Sequence, residues 1–511
     1  MATPPSPEMT SRFARIALAC IMGAGTFIIG ARLGAQSLWI DEAITLVPVT
    51  EARDAADLVT RVRAIDTQPP ASHALLYALR ELLPRGEFGW RLPSLLAVEV
   101  GVLLLALVGG RLYGPAGLLF TGLCAQVSPF LLFYAMEARN YALWFLAVAA
   151  AAWSMTGCLQ AIGARSPGRT VAFWTVAWGL ANTLGLWTHL FHLFALVVQA
   201  TIVAAIGLVV RPPRPVARAA ALATAASLGA SLLLFLPWIL LLVRSPAVAH
   251  GVGWTRRLSV VGFFYFPFAF VFGFSLGPDL RELHQGPARQ IAAAHPLALL
   301  LAAAALALLV AGLWSGLRAA RREGEPPAAA LFLLAPAVGI LGPALYVATR
   351  DFPLVPRHLM FLWPLVPLLQ AFVAVRPKRF RAAVLAVAGL QAIAGWNLLF
   401  DPVYAKDDER GAIRFAEEHS GARPLILGDA APLYARNGGL MKMVVDPRSD
   451  AILGSGATDI WLVDNRAWED PAGNVRDKVG QAAGRLGLVP QPDEDRFRGI
   501  VLRHWAKGLA P

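Results

Sequence analysis

The chain has 511 residues, of which 57% are hydrophobic and 15% are charged. Soluble domains carry about 25% charged residues, so an ordinary water-soluble globule is excluded. Three Cys, 37 Pro and 45 Gly also exclude a disulfide scaffold, a disordered chain and a collagen. We therefore predict a polytopic membrane protein.

The formal net charge of +12 is unevenly distributed. The first 400 residues hold 30 Lys and Arg against 16 Asp and Glu, whereas residues 401–511 hold 15 against 17. The basic excess lies in short clusters between apolar runs, where membrane insertion and anionic lipid headgroups account for it. A nucleic-acid partner is therefore not expected.

Apolar runs of about 20 residues, long enough to cross a bilayer, recur along the first 400 residues. We predict about eleven transmembrane helices, at 12–34, 91–112, 115–135, 140–161, 170–189, 192–210, 218–243, 295–317, 328–348, 355–375 and 381–400. The first is interpreted as an uncleaved anchor rather than a signal peptide. Basic clusters at alternate turns assign those turns to the cytoplasm, in a multi-pass protein of the inner (plasma) membrane.

The opposite, extracytoplasmic side then carries a long loop at residues 35–90, whose length suggests a function. Amphipathic patterns at 51–65 and 71–83 predict two helices, the second with His73 and Arg80 on its polar face. They fit helices lying in the membrane interface, or short connecting helices that only pack on the bundle.

Residues 258–277 are apolar enough to span the membrane. A span at this point would place the next basic cluster outside and invert every later loop. We therefore expect an interfacial or re-entrant element on the external side.

Residues 401–511 have the composition of a soluble domain. The segments DDERGAIRFAEEHS, PLILGD, DIWLVDNR, NVRDKVGQAAGRLG and FRGIVLRHW predict a helix, two strands, a helix and a strand, in that order. This alternation indicates a small α/β domain outside the membrane. Without a phosphate-binding glycine motif, it is assigned a support or acceptor-docking role.

Ionisable residues collect at the predicted external ends of the spans, and charges at membrane depth indicate a functional site. They are Asp41 and Glu42 after the first span, Glu137 and Arg139 between spans three and four, His189 and His192 between spans five and six, and Arg357 and His358 at the start of span ten. We expect them to form one polar pocket for an anionic, lipid-linked substrate.

Each of these groups also has a purely structural interpretation. The acidic pair could be a solvated flank, and in an extended stretch only one of Asp41 and Glu42 needs to reach a site. Glu137 and Arg139 could form a local ion pair. The two histidines could bind zinc, hydrogen-bond within the bundle or contact a substrate, although a complete zinc ligand set is not evident. Glu99, inside span two, could pair within the bundle or tune the site.

Five motifs, in this order, resemble the membrane-embedded glycosyltransferases of the C-type fold. They are LWIDEA, DTQPPASHALLYAL, SPFLLFYAMEARNYAL, the TH that ends span five and PRHLMFLWP. The resemblance is greatest to the group that includes protein O-mannosyltransferases and lipid A aminoarabinose transferases, and it covers roughly residues 12–400. It implies an all-α, GT-C-like polytopic membrane bundle at 1–400, followed by the extracytoplasmic α/β domain at 401–511.

Two features depart from the family pattern. Many relatives have His immediately before the paired prolines, where this chain has Gln68, and its nearest following histidine is His73. The tail at 401–511 also differs from the β-rich luminal insertion of the protein mannosyltransferases.

The resemblance implies transfer of a sugar from a polyprenyl-phosphate donor to a hydroxyl of a lipid, glycan or protein acceptor, with inversion. Asp41 is implied as the general base, with Glu42 beside it. Arg139 and Arg357 are expected to contact the phosphate and to meet Asp41 in one cavity.

The remaining candidates complete the expected substrate shell. Glu137 is expected to orient Arg139 or the sugar, and His189 to contact the phosphate or the acceptor. His192, His73 and Arg80 are further candidates for substrate contact. No cofactor is required, although some distant members of the fold use a divalent cation.

A polytopic transporter or lipid flippase is the alternative from another class, and a non-catalytic assembly protein is a third. Transporters tend to show internal repeats and binding residues near the middle of the bilayer. The polar candidates of this chain lie at one face beside a long loop, which favours an enzyme.

Overall fold

The computed structural model describes most of the chain and divides it into two compact units. The described residues are 7–65, 68–243, 260–279, 282, 288–322, 330–349, 354–376, 378–435, 438–440, 450–465, 474–492 and 497–507. The first unit comprises Met1–Ala31, Val62–Leu75 and Arg91–Tyr404, and the second Arg32–Arg61, Leu76–Trp90 and Ala405–Pro511. The residues after Tyr404 thus group with two segments of the loop predicted at 35–90.

Helices dominate the chain up to residue 400. They are α1 (Pro7–Gly30), α2 (Ile40–Glu51), α3 (Ala55–Ile65), α4 (Ala71–Leu79), α5 (Glu87–Gln126), α6 (Pro129–Ala135), α7 (Asn140–Gly163), α8 (Gly168–Thr188), α9 (His192–Val210), α10 (Arg214–Leu242), α11 (Val260–Phe272), α12 (Ala288–Ala294), α13 (Pro296–Arg322), α14 (Ala335–Thr349), α15 (Leu365–Val375) and α16 (Arg381–Phe400). A π-helical turn (Ala330–Leu334) precedes α14, and a 3₁₀ turn (Pro356–Leu362) precedes α15.

Several of these helices are long and apolar enough to cross a membrane. Among the described residues seven pass this test, or eight if the bent pair formed by the 3₁₀ turn and α15 is one span. The chain is therefore a multi-pass membrane protein. The predicted number of eleven spans stays a prediction.

The segment α5 consists of two helical arms that form a hairpin, rather than one straight helix. A straight helix of its 40 residues would run about 60 Å, twice the thickness of the hydrocarbon core. The backbone leaves the helical conformation at Gly114, with φ 73° and ψ −164°. The Gln126 side chain then donates to Glu99 Oε1 over 2.9 Å, which only antiparallel arms permit. The two arms match the two runs predicted at 91–112 and 115–135, and Glu99 acquires a partner within the bundle.

The described part of helix α11 is shorter than a transmembrane span. Its 13 residues cover about 20 Å, against a hydrocarbon core of about 30 Å. Side chains of Trp363, Gln391 and Asn397 donate to the carbonyls of Phe270, Val271 and Ser275, each over 3.0 Å. Backbone groups at membrane depth need such internal partners. This arrangement fits the predicted re-entrant element, of which residues 258 and 259 lie outside the described residues.

Residues 40–51 are helical, not extended as the sequence suggested for LWIDEA. Asp41 and Glu42 occupy the first turn of α2. Carboxylates there interact favourably with the partial positive charge of the helix N-terminus, which gives the acidic pair a local reason to begin a helix. Adjacent side chains on a helix do not point to opposite faces, as they would on a strand. The roles of the two carboxylates must therefore be distinguished by the contacts that each one makes.

The residues after 404 form a mixed sheet flanked by helices. The elements are α17 (Glu409–Glu418), β1 (Pro424–Gly428), α18 (Ala431–Tyr434), β2 (Gly438–Leu440), α19 (Asp450–Leu453), β3 (Asp459–Asp464), α20 (Asn474–Arg485), β4 (Leu488–Pro490) and β5 (Val501–Lys507). The strand order is β2-β1-β3-β5-β4, with β1 parallel to β2 and β3, and β5 antiparallel to β3 and β4. All five predicted elements are present.

The centre of this sheet is buried on both faces. Along β3, Ile460 and Leu462 belong to the hydrophobic cluster that includes Val479 of α20. Trp461 and Val463 alternate with them and join the cluster of α17 on the other face. A strand with period-two side chains and helices on both faces is fully buried, which explains the continuous apolar run IWLV.

Candidate active site

Two arginines from distant parts of the first unit converge on one tyrosine ring. The Arg139 guanidinium carbon lies 5.9 Å from the centre of the Tyr141 ring, and that of Arg357 lies 5.8 Å from the same centre. Both distances fall within cation–π range. Tyr141 is buried, whereas both arginines are half-buried. The structure therefore collects two of the predicted phosphate-binding residues around a fixed aromatic platform.

Local backbone geometry presents these arginines. Helix α6 begins at Pro129, with the Ser128 hydroxyl accepting from the Leu131 amide, and it ends before a short turn. Arg139 closes that turn as the extended residue that precedes α7. Arg357 follows Pro356, the first residue of the 3₁₀ turn. Neither arginine lies inside an α-helix. Arg139 immediately precedes α7, and Arg357 lies at the start of the 3₁₀ turn that precedes α15.

His189 presents a buried hydrogen-bond donor. Its ring is stacked on Trp144, with centroids 3.9 Å apart and planes 7° apart. Nδ1 accepts from the Phe191 amide over 3.1 Å, so a neutral ring carries its proton on Nε2. This Nε2 is buried and has no hydrogen-bond partner among the residues that the structure describes. His189 also lies within electrostatic range of Arg139 and Arg357.

His192 is engaged on both sides of its ring. Trp144 Nε1 donates to His192 Nδ1 over 3.0 Å, and His192 Nε2 lies 3.0 Å from Asn182 Oδ1. Asn182 in turn exchanges hydrogen bonds with Gln199. A Cβ on Gly185 would overlap the His192 ring, so glycine makes room for it. The network joins α7, α8 and α9, and it uses both ring nitrogens.

These bonds bear on the zinc interpretation of the two histidines. A zinc ligand needs a free nitrogen lone pair, and Nδ1 of each ring already accepts a hydrogen bond. Among the described residues no group of three or more His, Cys, Asp and Glu is arranged to hold a metal ion. Whether a metal takes part stays a prediction.

Other predicted residues surround the same region of the first unit. His358 accepts from the Val355 amide through Nδ1, and its ring lies 6.3 Å from that of His189. Glu137 is 1% exposed and precedes Arg139 by two residues. His73 is also 1% exposed, on α4.

Gln68, the residue that replaces a family histidine, lies against the turn that carries His189. Its Oε1 accepts from the Leu190 amide at 3.4 Å. The segment leading into the paired prolines therefore meets the turn between α8 and α9.

Asp41, Glu42 and Arg80 belong to the second unit. Asp41 is half-buried, whereas Glu42 is fully buried and paired with Lys406, with Nζ 3.1 Å from Oε2. Arg80 donates to the carbonyls of Val49 and Ala52 over 3.3 and 3.0 Å. Its guanidinium thus satisfies orphan carbonyls at the C-terminal end of α2.

Sequence reasoning did not single out three of these partners. Tyr141 lies two residues after Arg139, inside the motif SPFLLFYAMEARNYAL, where its spacing was the available signal. Trp144 stands one turn further along α7, among many apolar residues. Lys406 sits in a mixed-charge stretch, DPVYAKDDER, where nothing marks it as a partner of Glu42.

Comparisons with known proteins agree with this architecture. No family model matches the chain, and no curated protein matches its sequence. The crystal structure of ArnT from Cupriavidus metallidurans in the apo state matches with a TM-score of 0.60 and 16% identity, covering 95% of this chain and 97% of that one. The ArnT structure with bound undecaprenyl phosphate matches with a TM-score of 0.57 and 15% identity over the same shares.

An archaeal protein shows a weaker likeness. The oligosaccharyltransferase AglB from Archaeoglobus fulgidus, in complex with an inhibitory peptide and a dolichol-phosphate, has a TM-score of 0.52 and 11% identity. The match covers 93% of this chain and 72% of that one. At these identities the likeness shows the fold. It confirms the predicted all-α membrane bundle of the C-type glycosyltransferase fold with a small C-terminal α/β domain.

Proposed function

We propose that this chain, which shares the fold of ArnT and AglB, is a membrane glycosyltransferase that uses a polyprenyl-phosphate-linked sugar as donor. One observation carries the proposal: Arg139 and Arg357 share the Tyr141 ring, and His189 adds a buried N–H within their electrostatic range. Arginine offers a planar fork of donors that matches phosphate oxygens. The related structures with bound undecaprenyl phosphate and dolichol-phosphate support a lipid phosphate as the ligand.

The phosphate is the leaving group in this reaction. When the bond between the anomeric carbon and the phosphate oxygen breaks, negative charge grows on that oxygen. Donors fixed in a site from which water is excluded stabilise such charge without reorganisation. Arg139, Arg357 and the Nε2–H of His189 fill this role, and Glu137 orients Arg139 or the sugar.

Asp41 is the general base of the proposal. It accepts the proton of the acceptor hydroxyl while the acceptor oxygen attacks the anomeric carbon opposite the phosphate. The new glycosidic bond forms as the bond to the phosphate oxygen breaks, the configuration at the anomeric carbon inverts, the proton ends on Asp41, and the lipid phosphate leaves as an anion. One base of this kind contributes about 10²- to 10⁴-fold to a rate. Asp41 suits the role better than Glu42, whose fully buried carboxylate is bound by Lys406.

The other candidates are assigned by their contacts. His192 and Arg80 hydrogen-bond to the protein and receive structural roles. His73 stays a candidate for substrate contact. The acceptor is a hydroxyl of a lipid, glycan or protein on the extracytoplasmic face of the inner membrane, and no metal is required.

Release of lipid phosphate tests the reaction. Purified protein is incubated with polyprenyl-phosphate sugars and an extract of cell-envelope acceptors, and free polyprenyl phosphate is measured. Wild-type protein is expected to release it. Asp41→Asn is expected to abolish release while lipid-phosphate binding stays unchanged, whereas the control Glu51→Gln, an exposed carboxylate on the same helix, keeps activity.

The alternative class predicts another outcome. A transporter or flippase would move the donor between leaflets of a vesicle without releasing lipid phosphate. Movement of intact donor with no release from any donor in the panel would overturn the proposal.

A further inference from the structure

A buried ion pair ties the acidic motif of α2 to the chain that follows the membrane helices. Lys406 Nζ lies 3.1 Å from Glu42 Oε2, and the two side chains are 7% and 0% exposed. Both residues belong to the second unit. The ammonium also lies 5.5 Å from the centre of the Trp39 ring, and Trp39 is the N-cap residue immediately before α2. Lys406 therefore contacts the start of α2 at two side chains.

The backbone of Lys406 is held as firmly as its side chain. Its amide donates to Gln36 Oε1 over 3.2 Å, and its carbonyl accepts from the Arg498 guanidinium. Ser37 bridges the next residues, because its hydroxyl lies 3.3 Å from Asp408 Oδ1 and 3.2 Å from the Arg410 amide. The stretch immediately before the LWIDEA motif is thus bonded to the stretch that begins the C-terminal domain.

Burying an ion pair costs free energy, because both charges lose their contacts with water. A carboxylate without contact to water needs an opposite charge, and removing one partner leaves an uncompensated charge inside the protein. The N-terminus of α2 favours Glu42 only in part. Lys406 therefore compensates the buried Glu42 carboxylate and helps to fix it at this position, directly beside Asp41.

We propose that Lys406 is a positioning residue for the general base. By holding Glu42 and Trp39 it fixes the first turn of α2, and with it the direction of the neighbouring Asp41 carboxylate. This inference rests on the proposed function, in which Asp41 accepts the acceptor proton. It divides the acidic pair into a reacting carboxylate, Asp41, and an anchoring carboxylate, Glu42. It also makes the C-terminal domain a part of the machinery that orients the base.

Three variants of the full-length protein test the inference. Lys406→Met and Glu42→Met each remove one member of the buried ion pair, and each is expected to lower kcat for lipid-phosphate release about 10- to 100-fold, with the donor KM nearly unchanged. The double variant removes both charges and fills their space with side chains of similar length. It is expected to regain activity to within about tenfold of wild type, because residues in direct contact are strongly non-additive.

Recovery of activity in the double variant distinguishes a positioning role of Lys406 and Glu42 from direct contact of either side chain with the substrate. If either side chain touched substrate, the double variant would be no more active than the weaker single variant, and that result would overturn the inference. Arg423→Met, an exposed cation of the same domain, serves as the matched control and is expected to keep wild-type kcat.

Folding and function are separated by two further readouts. Lipid-phosphate affinity and a monodisperse elution profile report the folded state of each variant. Should the single variants not fold, the double variant decides: a folded, active double variant sustains the inference, and a folded, inactive one overturns it. Wild-type kcat in Lys406→Met together with loss of activity in Asp41→Asn would overturn this inference alone. Absence of lipid-phosphate release by wild-type protein would instead overturn the proposed function.

Discussion

Arg139 and Arg357 flank the same aromatic ring, with guanidinium carbons 5.9 and 5.8 Å from the centre of Tyr141. The ring provides a negative face to each cation and holds both in place. In the proposed function, both guanidinium groups contact the phosphate of the donor.

Replacing either arginine is expected to weaken lipid-phosphate binding. Arg139→Gln and Arg357→Gln each lose a charged hydrogen bond, which contributes about 1.5–3 kcal/mol. The dissociation constant for undecaprenyl phosphate should therefore rise about 10- to 100-fold. Titration of the purified protein in nanodiscs measures it. Arg169→Gln removes an exposed arginine at the start of α8 and should leave the constant unchanged, so equal effects in all three variants would contradict the site.

His189 is expected to matter for binding but little for stability. His189→Phe retains an aromatic ring that can stack on Trp144, yet it removes the Nε2–H donor. Loss of one hydrogen bond to a charged ligand should raise the undecaprenyl phosphate dissociation constant about tenfold or more. The same titration measures the loss. Unchanged affinity in a folded variant would remove His189 from the phosphate shell.

His192 is expected to behave in the opposite way. His192→Leu leaves the buried Trp144 Nε1 without its acceptor, which costs about 1–3 kcal/mol, whereas Asn182 Oδ1 keeps its hydrogen bond from Gln199. The melting temperature of the full-length protein in detergent should fall clearly below that of His189→Phe. Gly185→Ala should also lower it, because the added Cβ overlaps the His192 ring. A stable His192→Leu variant with weakened phosphate binding would reverse these assignments.

The candidate site residues of the first unit stand out in the sequence for a physical reason. Charged residues are costly at membrane depth, so Arg139, His189 and Arg357 stood out in an otherwise apolar chain. Hydropathy reports where such groups enter and leave the bundle, but not which aromatic ring they share. Tyr141 and Trp144 were therefore missed, since an aromatic residue in an apolar helix carries no distinguishing signal.

Local sequence patterns also limited which elements of the fold could be predicted. The apolar runs and the strands β1, β3 and β5 are long enough to show a period. The edge strands β2 and β4 have three residues each, too few for a pattern, and neither was predicted. Helix α2 was not among the predicted elements, and its segment ITLVPV, rich in β-branched residues and with Pro48 inside it, carries no clear helical signal. Its pairing with Lys406 is a tertiary contact that no local pattern encodes.

A buried acid makes the C-terminal domain sensitive to pH. Burial raises the pKa of the Glu409 carboxyl well above its usual range, and the negative charge of Asp429 raises it further. The folded domain therefore holds this proton at pH values where the unfolded chain has released it. Its contribution to stability is greatest near or below the unfolded pKa of about 4.3, and it is lost as pH rises through the folded pKa.

Glu409→Gln is expected to remove this pH dependence. The urea midpoint of the C-terminal segment, followed by pulse proteolysis of full-length protein, should fall less between about pH 5 and about pH 8 in the variant than in wild type. The difference between the two midpoints should therefore change between these pH values. Glu418→Gln alters an exposed carboxylate of the same helix and should follow wild type. Parallel curves for wild type and Glu409→Gln would contradict the raised pKa.

The location of a bound lipid phosphate tests the account most directly. A cryo-electron microscopy structure of the protein with undecaprenyl phosphate should place the phosphorus beside Tyr141, with its oxygens in hydrogen-bond contact with Arg139, Arg357 and Nε2 of His189. Loss of that density in Arg357→Gln would support the same conclusion. A phosphate bound elsewhere, with both guanidinium groups uninvolved, would contradict the central claim.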